Sequence, residues 1–349
     1  MRSARTIWHD NSLTKYKNKM LDEIYLRLLL ELLPANLKLS SWDINRMLEQ
    51  GRDSDHASRV YADLIHQLYR HEPNSNIGLR FGQHLHPATL CDFSRALMTS
   101  PNFKTVLSLI ERYHYLHGAS YYPSIAIDAE QISIALTYPY KERVSMTQRR
   151  FCAEGVFSYV VNALRETVDQ QLQPKAIYFD FAQPDYFREY EAHFDCEIVF
   201  GQPLAMLVMN TQFIERDLST SNATLHPLYL NKCLDHWRRS ARQCDFQYRV
   251  MIELMQQHPH SFSSQTLADQ LNISVRGLQK RLSKHQQSFS QLTARARREL
   301  AKVYLYQNGA SVEVTAEKLG FQTSSGFRRF FRSEFDMTPA EFSQLCLQD

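Results

Sequence analysis

Apolar residues recur with different periods in different parts of the chain. Between Ser288 and Gly309, Phe289, Leu292, Ala296, Leu300 and Val303 follow at steps of three and four. That period places them on one face of a helix of about 18 residues, roughly 27 Å long, which Gly309 ends. Upstream, "YYPSIAID" and "QISIALTYPY" alternate well enough to predict two paired strands. "KAIYFDFAQP", "CEIVFG" and "AMLVMN" predict three more, and a helix is expected from Met146 to about Val168. The stretch "NIGLRFGQHLHPATLCDFSRALMTSPNFKTVLSLIERYHYLHGA" predicts a turn and two helices. The second should open near Ser100-Pro101, since proline suits a helix start. "IYLRLLLELL" is short and carries Arg27 and Glu31, so it reads as an amphipathic helix and not a membrane span. The expected fold is therefore an α+β N-terminal domain followed by an all-α C-terminal domain.

The C-terminal third contains a repeated segment. "LNISVRGLQKRL" and "LGFQTSSGFRRFF" share a layout: a capping hydroxyl, glycine, an apolar residue, basic or polar residues, and another apolar residue. Ser274, Gly277, Leu278, Gln279, Lys280 and Leu282 align with Thr323, Gly326, Phe327, Arg328, Arg329 and Phe331, 49 positions on. Ala268 and Leu271 match Ala316 and Leu319. In each copy a short helix, a turn and a capped second helix are expected. Leu278 and Leu282, or Phe327 and Phe331, should face inward. Arg276, Gln279 and Lys280, and Ser324, Ser325, Arg328 and Arg329, should face out. This is the pattern of two helix-turn-helix motifs, about 264–284 and 312–333. Small residues at a recognition-helix start allow close approach of the backbone to phosphate, whose charge the helix N-terminus favours. The same Thr-Ser-Ser-Gly also reads as a plain capping turn. The helix between the copies is long enough to hold two recognition helices about one DNA turn apart, roughly 34 Å.

The sequence "LADQLNISVRGLQKRL…SFSQL…RRELAKVYL…VTAEKLGFQTSSGFRRFFRSEFDMTPAEF" resembles the AraC/XylS family of bacterial transcription regulators. Gly320-Phe321, Phe327-x-Arg329-x-Phe331 and Thr338-Pro339 carry the likeness over about 100 residues. It implies that Arg276, Gln279, Lys280, Ser324, Ser325, Arg328 and Arg329 hold base-reading positions on double-stranded DNA. Ser274, Arg281, Lys284, Lys302 and Thr323 are expected at phosphates. Thr315 stands where the family usually has an aliphatic residue, Thr323 replaces a common Asp or Ser, and Gln286 and Asp336 replace loop glycines. The stretches "GLRFG…LMTSPNFKTVLSLIERY" and "YEAHFDCEIVFGQPLAMLVMN" more loosely resemble the regulatory domain of the branch that contains ornithine and arginine catabolism regulators. That likeness implies effector sensing and dimerisation.

Net charge, +3, is uninformative, but its distribution is not. Eight basic residues (Arg276, Lys280, Arg281, Lys284, Arg295, Arg297, Arg298 and Lys302) and one acidic residue, Glu299, lie between Asn272 and Lys302. Such a field suits a polyanion, although a solvated helix face would also produce it. Six scattered cysteines with no C-x-x-C pair argue against a disulfide framework or zinc module. Cys233 and His236 have a ligand spacing with no second pair nearby, so no metal and no cofactor are expected. His84, His86, Asp92, His114 and His117 offer acid–base groups, but no catalytic motif organises them, and no enzyme activity is expected. The N-terminus lacks a signal-peptide core, so the chain is expected to stay in the cytoplasm. Tyr113, Tyr115, Tyr121 and Tyr122 are the candidate effector pocket, against the alternative that they are core or surface.

These readings divide the chain into an effector-sensing and dimerisation domain (1–225), a helical linker (226–245) and a DNA-binding domain (246–349). On the linker, Leu228, Leu230, Leu234 and Trp237 suit either homodimer or intramolecular packing. The expected function is a sequence-specific regulator, an activator controlled by a small metabolite and working with RNA polymerase. The alternative is a ligand-independent regulator whose first domain only dimerises or docks a protein. An enzyme fused to a DNA module is a third reading.

Overall fold

The computed structural model describes residues 25, 27–33, 54–86, 92–114, 121–140, 144–243, 246–307 and 310–345. After a short helical stretch at residues 27–31, the described residues form α1 (Ser54–His71), α2 (Ile77–His84), α3 (Asp92–Met98) and α4 (Phe103–Tyr113) ahead of the sheet. Two were expected in the stretch that forms α2 to α4. Helix α4 starts after Asn102, not at Pro101, because the Asn102 side chain accepts the Thr105 N–H at 3.0 Å. A side-chain acceptor satisfies an otherwise free helix N–H, which proline cannot do.

The hairpin β1 (Tyr122–Ile127) and β2 (Gln131–Thr137) forms as its alternation predicts. Helix α5 (Met146–Thr167) opens on a reciprocal cap between Ser145 and Gln148. Strand β3 (Ala176–Tyr178), helix α6 (Phe187–Phe194), β4 (Glu197–Val199) and β5 (Ala205–Asn210) follow. The sheet order is β1-β2-β5-β3-β4, antiparallel except for the β3/β4 pair. Buried Glu154 of α5 accepts from the Tyr69, Tyr186 and Tyr190 hydroxyls and from Arg150, which ties α1, α5 and α6 together.

Strand alternation gives the sheet two different apolar faces. Ile132, Ile134, Leu136, Leu207 and Ile177 pack with Phe157 and Val161 of α5 in the N-terminal core. On the opposite face, Ala135, Met206 and Val208 pack against Val303, Tyr304 and Tyr306. Those last three belong to the long helix of the C-terminal part, so the second face of the sheet is covered by that helix.

The C-terminal part is all helical: α7 (Leu225–Gln243), α8 (Phe246–Met255), α9 (Ser264–Gln270), α10 (Val275–Lys284), α11 (Phe289–Gln307), α12 (Val312–Lys318), α13 (Ser324–Phe335) and α14 (Pro339–Leu345). Helix α7, within the segment read as a linker, packs along α3, with His226 Nδ1 3.0 Å from the Ala96 carbonyl. Leu230 packs on the N-terminal core and Leu228 is 55% exposed. The side chains of Leu234 and Trp237, together with Gly309, lie outside the described residues. Leu292, Ala296 and Leu300 of α11 join Leu267, Leu278, Leu319, Phe327 and Phe331 in one core. Val303, expected on the same face, instead points at the sheet.

Candidate nucleic-acid interface

The two helix-turn-helix units are built alike. Ser274 Oγ accepts the Gly277 N–H and Thr323 Oγ1 accepts the Gly326 N–H, each at 3.1 Å. A Cβ on Gly277 or Gly326 would lie 3.2 or 3.3 Å from that same capping oxygen, so these glycines leave room for the cap. In the turns, the Ile273 N–H reaches the Ala268 carbonyl and the Phe321 N–H reaches the Ala316 carbonyl, both at 2.9 Å. Ser274 then follows directly, whereas Gln322 intervenes before Thr323. The upstream halves are therefore 48 positions apart and the caps 49, and the second turn is one residue longer. Asn272 and Gly320 hold equivalent left-handed positions, φ 54° and 75°. At Gly320 a Cβ would stand 2.7 Å from His260 Cα, so only glycine fits.

Leu278, Leu282, Phe327 and Phe331 are buried, which leaves one polar face on each second helix. Arg276, Gln279, Lys280, Arg281 and Lys284 are exposed on α10. On α13, Ser325, Arg328 and Arg329 are exposed and Ser324 is half-buried. The caps Ser274 and Thr323 are exposed at the two helix starts. Arg328 pairs with Glu313 at 2.9 Å, but both side chains are more than half exposed, so the pair is weak. Arg281 lies over the Phe246 ring, 5.4 Å from its centre.

The basic run divides sharply. Its four α10 members are exposed, while the four on α11 are engaged within the protein. Arg295 stacks over Tyr140 at 4.6 Å, and Arg297 donates to the Leu319 carbonyl at 2.9 Å between Phe262 and Phe321. Arg298 and Lys302 both pair with Glu299, which is fully buried. Burial alone would raise the Glu299 pKa. Lys302 and Arg298 outweigh it and hold the carboxyl below its ordinary value. Lys302 thus turns its ammonium to Glu299, away from the outer faces of α10 and α13.

The three of the four tyrosines that lie among the described residues do not converge. Tyr113 is buried in the N-terminal core, edge-on to Phe93 at 6.5 Å. Tyr122 lies on the other face of the sheet, 4.7 Å from the His114 ring and in the cluster of Val250 and Met251. Tyr121, just before β1, is half-buried against the N-terminal core. Tyr115 lies outside the described residues. No group of three His, Cys, Asp or Glu side chains suited to a metal ion occurs among the described residues. Among the same residues no helix is long and apolar enough to cross a membrane.

Two capped helices with basic outer faces, set on one long helix and joined to an α+β domain, define a DNA-binding regulator with a duplicated helix-turn-helix. Residues 48–218 match the arabinose-binding domain of AraC transcription regulators, N-terminal, and residues 267–344 match a helix-turn-helix domain. The chain belongs to the AraC family of transcription regulators. It is 24% identical over 272 residues to the ornithine utilization regulator of Pseudomonas aeruginosa, covering 77% of this chain and 78% of the relative. It is 30% identical over 76 residues to the transcriptional activator AggR of Escherichia coli, covering 22% of this chain and 29% of that one. The crystal structure of the transcriptional regulator CdpR from Pseudomonas aeruginosa aligns with 91% of this chain and 97% of its own, at 17% identity and a TM-score of 0.46. The matched domains and curated relatives are transcription regulators and not enzymes.

Proposed function

We propose that the protein is a cytoplasmic, sequence-specific activator that reads two successive major grooves and is controlled by a small metabolite bound in its N-terminal domain. The observation that carries the first half is the matched pair of exposed faces on α10 and α13, each set by the same hydroxyl cap and joined by α11. Arg276, Gln279 and Lys280 on α10, and Ser324, Ser325, Arg328 and Arg329 on α13, are the base readers. Arginine addresses guanine edges, while glutamine and serine address others. Ser274, Thr323, Arg281 and Lys284 hold phosphates. Residues 246–349 form the DNA-binding unit.

Metabolite control is supported by the arabinose-binding-type domain over residues 48–218. The ornithine regulator named above makes a metabolite effector a reasonable class. A homodimer would form across α7, where Leu225 and Leu228 are 40% and 55% exposed, and RNA polymerase would be the partner in activation. The testing experiment is binding of Arg276→Ala and Arg329→Ala chains to a selected operator and to random DNA. Each should cost about 1–3 kcal/mol at one operator position and relax the preference there. Equal losses on specific and random DNA for both variants would refute base reading.

A further inference from the structure

Three polar atoms on the α5 side of the N-terminal sheet have no hydrogen-bond partner among the described residues: Arg149 Nε, Asp180 Oδ1 and Tyr138 Oη. They come from three elements. Arg149 lies in the first turn of α5, Asp180 just beyond β3, and Tyr138 at the end of β2. Tyr138 is 2% exposed, and the Asp180 and Arg149 side chains are 3% and 19% exposed. The groups are mutually close. Arg149 Nη2 pairs with Asp180 Oδ2, and the guanidinium carbon is 5.0 Å from the centre of the Tyr138 ring. Tyr121 packs against the same core cluster as Tyr138. Buried polar groups are almost always partnered, so three open positions at one place ask for an occupant.

The open positions specify that occupant. Arg149 Nε–H donates, Asp180 Oδ1 accepts, and a tyrosine hydroxyl does either. Arg149 and Asp180 already cancel in charge. A ligand of single sign would therefore leave a buried charge uncompensated, whereas a neutral or zwitterionic one would not. We infer that Arg149, Asp180 and Tyr138, walled by Tyr121, form the effector subsite, and that it takes a small molecule neutral overall that presents an acceptor to Arg149 and a donor to Asp180. This rests on the reading of the N-terminal domain as a metabolite sensor.

The position of the subsite would make such binding consequential. Tyr138 runs into Pro139, whose carbonyl accepts from Arg298 of α11 at 3.4 Å. Tyr140 then stacks under Arg295 and donates to the Gln247 carbonyl at 3.2 Å. Asp180 lies two residues beyond Tyr178, whose ring meets Tyr306 of α11 edge-on at 5.7 Å. The subsite thus shares two short segments with the grip on the helix that carries both DNA motifs. A ligand that shifts either segment changes that grip, provided it binds the two arrangements unequally.

The test is thermal shift followed by calorimetry on the full chain. The panel holds zwitterionic amino acids, neutral polyols, simple monocarboxylates and simple monoamines. At least one compound from the first two classes should raise the Tm of the wild-type chain. Tyr138→Phe, which deletes one hydroxyl, and Asp180→Asn should each weaken its Kd at least tenfold. Unliganded Tyr138→Phe should melt no lower than wild type, since it removes a buried unpartnered group. It keeps the test alive if Asp180→Asn does not fold. A compound bound equally by wild type and Tyr138→Phe overturns the subsite and leaves metabolite sensing intact. Binding confined to the charged classes overturns the subsite as described. A wild-type chain that binds nothing in the panel overturns both readings and leaves the three groups to a buried water.

Discussion

Replacing Glu299 with Gln tests whether the charges on α11 are internal supports. Glu299 is fully buried, with Arg298 Nε at 3.0 Å and Lys302 Nζ at 2.5 Å, and their side chains are only 11% and 13% exposed. Glutamine keeps an oxygen for Arg298, which also has Glu334 at 3.9 Å. Its amide, however, turns a donor toward the Lys302 ammonium. The loss is thus concentrated on one orphaned cation, and breaking a buried pair from one side costs about 3–5 kcal/mol. With an m of about 3 kcal/mol/M, the urea midpoint should fall by about 1 M or more at pH 7. Lys302→Met alone should also destabilise. The double variant should regain most of the loss, a coupling of about 2–3 kcal/mol. The pH dependence has a definite sign. The folded pKa of Glu299 lies below its ordinary value of 4.5, so its contribution is complete above that value and is lost as pH falls through the lower folded pKa. Wild type should therefore lose its advantage over Glu299→Gln only in that acid range. DNA binding supplies a second arm. With Nζ held by Glu299, Lys302→Met should leave the salt dependence unchanged, whereas a lost phosphate contact would reduce the slope by about 1. A reduced slope together with unaltered stability would refute the reasoning.

Thr315 is fully buried on α12 and its hydroxyl has no partner among the described residues, so Thr315→Val should stabilise the chain by about 1–2 kcal/mol in urea unfolding. Gln286 and Asp336 sit at φ 55° and 58°, left-handed positions that favour glycine, and Gln286→Gly and Asp336→Gly should each stabilise by about 1 kcal/mol in the same assay. Asp336→Gly should also tighten DNA binding slightly at low salt by removing a negative charge. Inserting about 5 base pairs, half a turn, between the two operator boxes should cut binding to that of one motif in footprinting, because the α11 strut cannot stretch; undiminished affinity would sink the two-groove model.

The features legible in the sequence were those with a local cause. The hairpin follows from alternation in "QISIALT", α5 from its run and cap, and both motifs from Ser274 and Thr323 placed three residues before glycine. Short helices α2 and α6 were not legible, because eight residues span barely two turns and show little periodicity, and the glycines of α2 read as a turn. Side chains that answer to distant partners were also hidden. Arg149, Asp180 and Tyr138 are separated by at least 11 positions and meet only once the sheet is formed. Tyr121 and Tyr122 look like one aromatic pair in sequence, yet at the start of β1 they turn to different cores. A run of basic residues likewise cannot tell whether its arginines meet phosphate or a carbonyl of their own chain.

That last ambiguity resolves into a division of labour along α10 and α11. Helix α10 meets the core through Leu278 and Leu282, so most of its surface, with four cations, stays exposed. Helix α11 has several neighbours. Leu292, Ala296 and Leu300 bind it to the motifs, Arg297 ties it to the end of α12, and Val303 and Tyr306 set it on the sheet. Its cations must find partners inside, and Glu299, the one acidic residue between Asn272 and Lys302, supplies two of them. A helix held on every side transmits displacement instead of absorbing it, since packed interiors are stiff. The element that sets the spacing of the two recognition helices is thus also the one whose seat lies on the sheet. Tyr306 donates to Gln202 at 3.1 Å beside the Tyr178 contact, at the far end of α11 from Arg295 and Tyr140. Two separated grips on one rigid rod allow the sheet to set both its position and its angle, so a change at the end of β2 or β3 would reach both DNA motifs together.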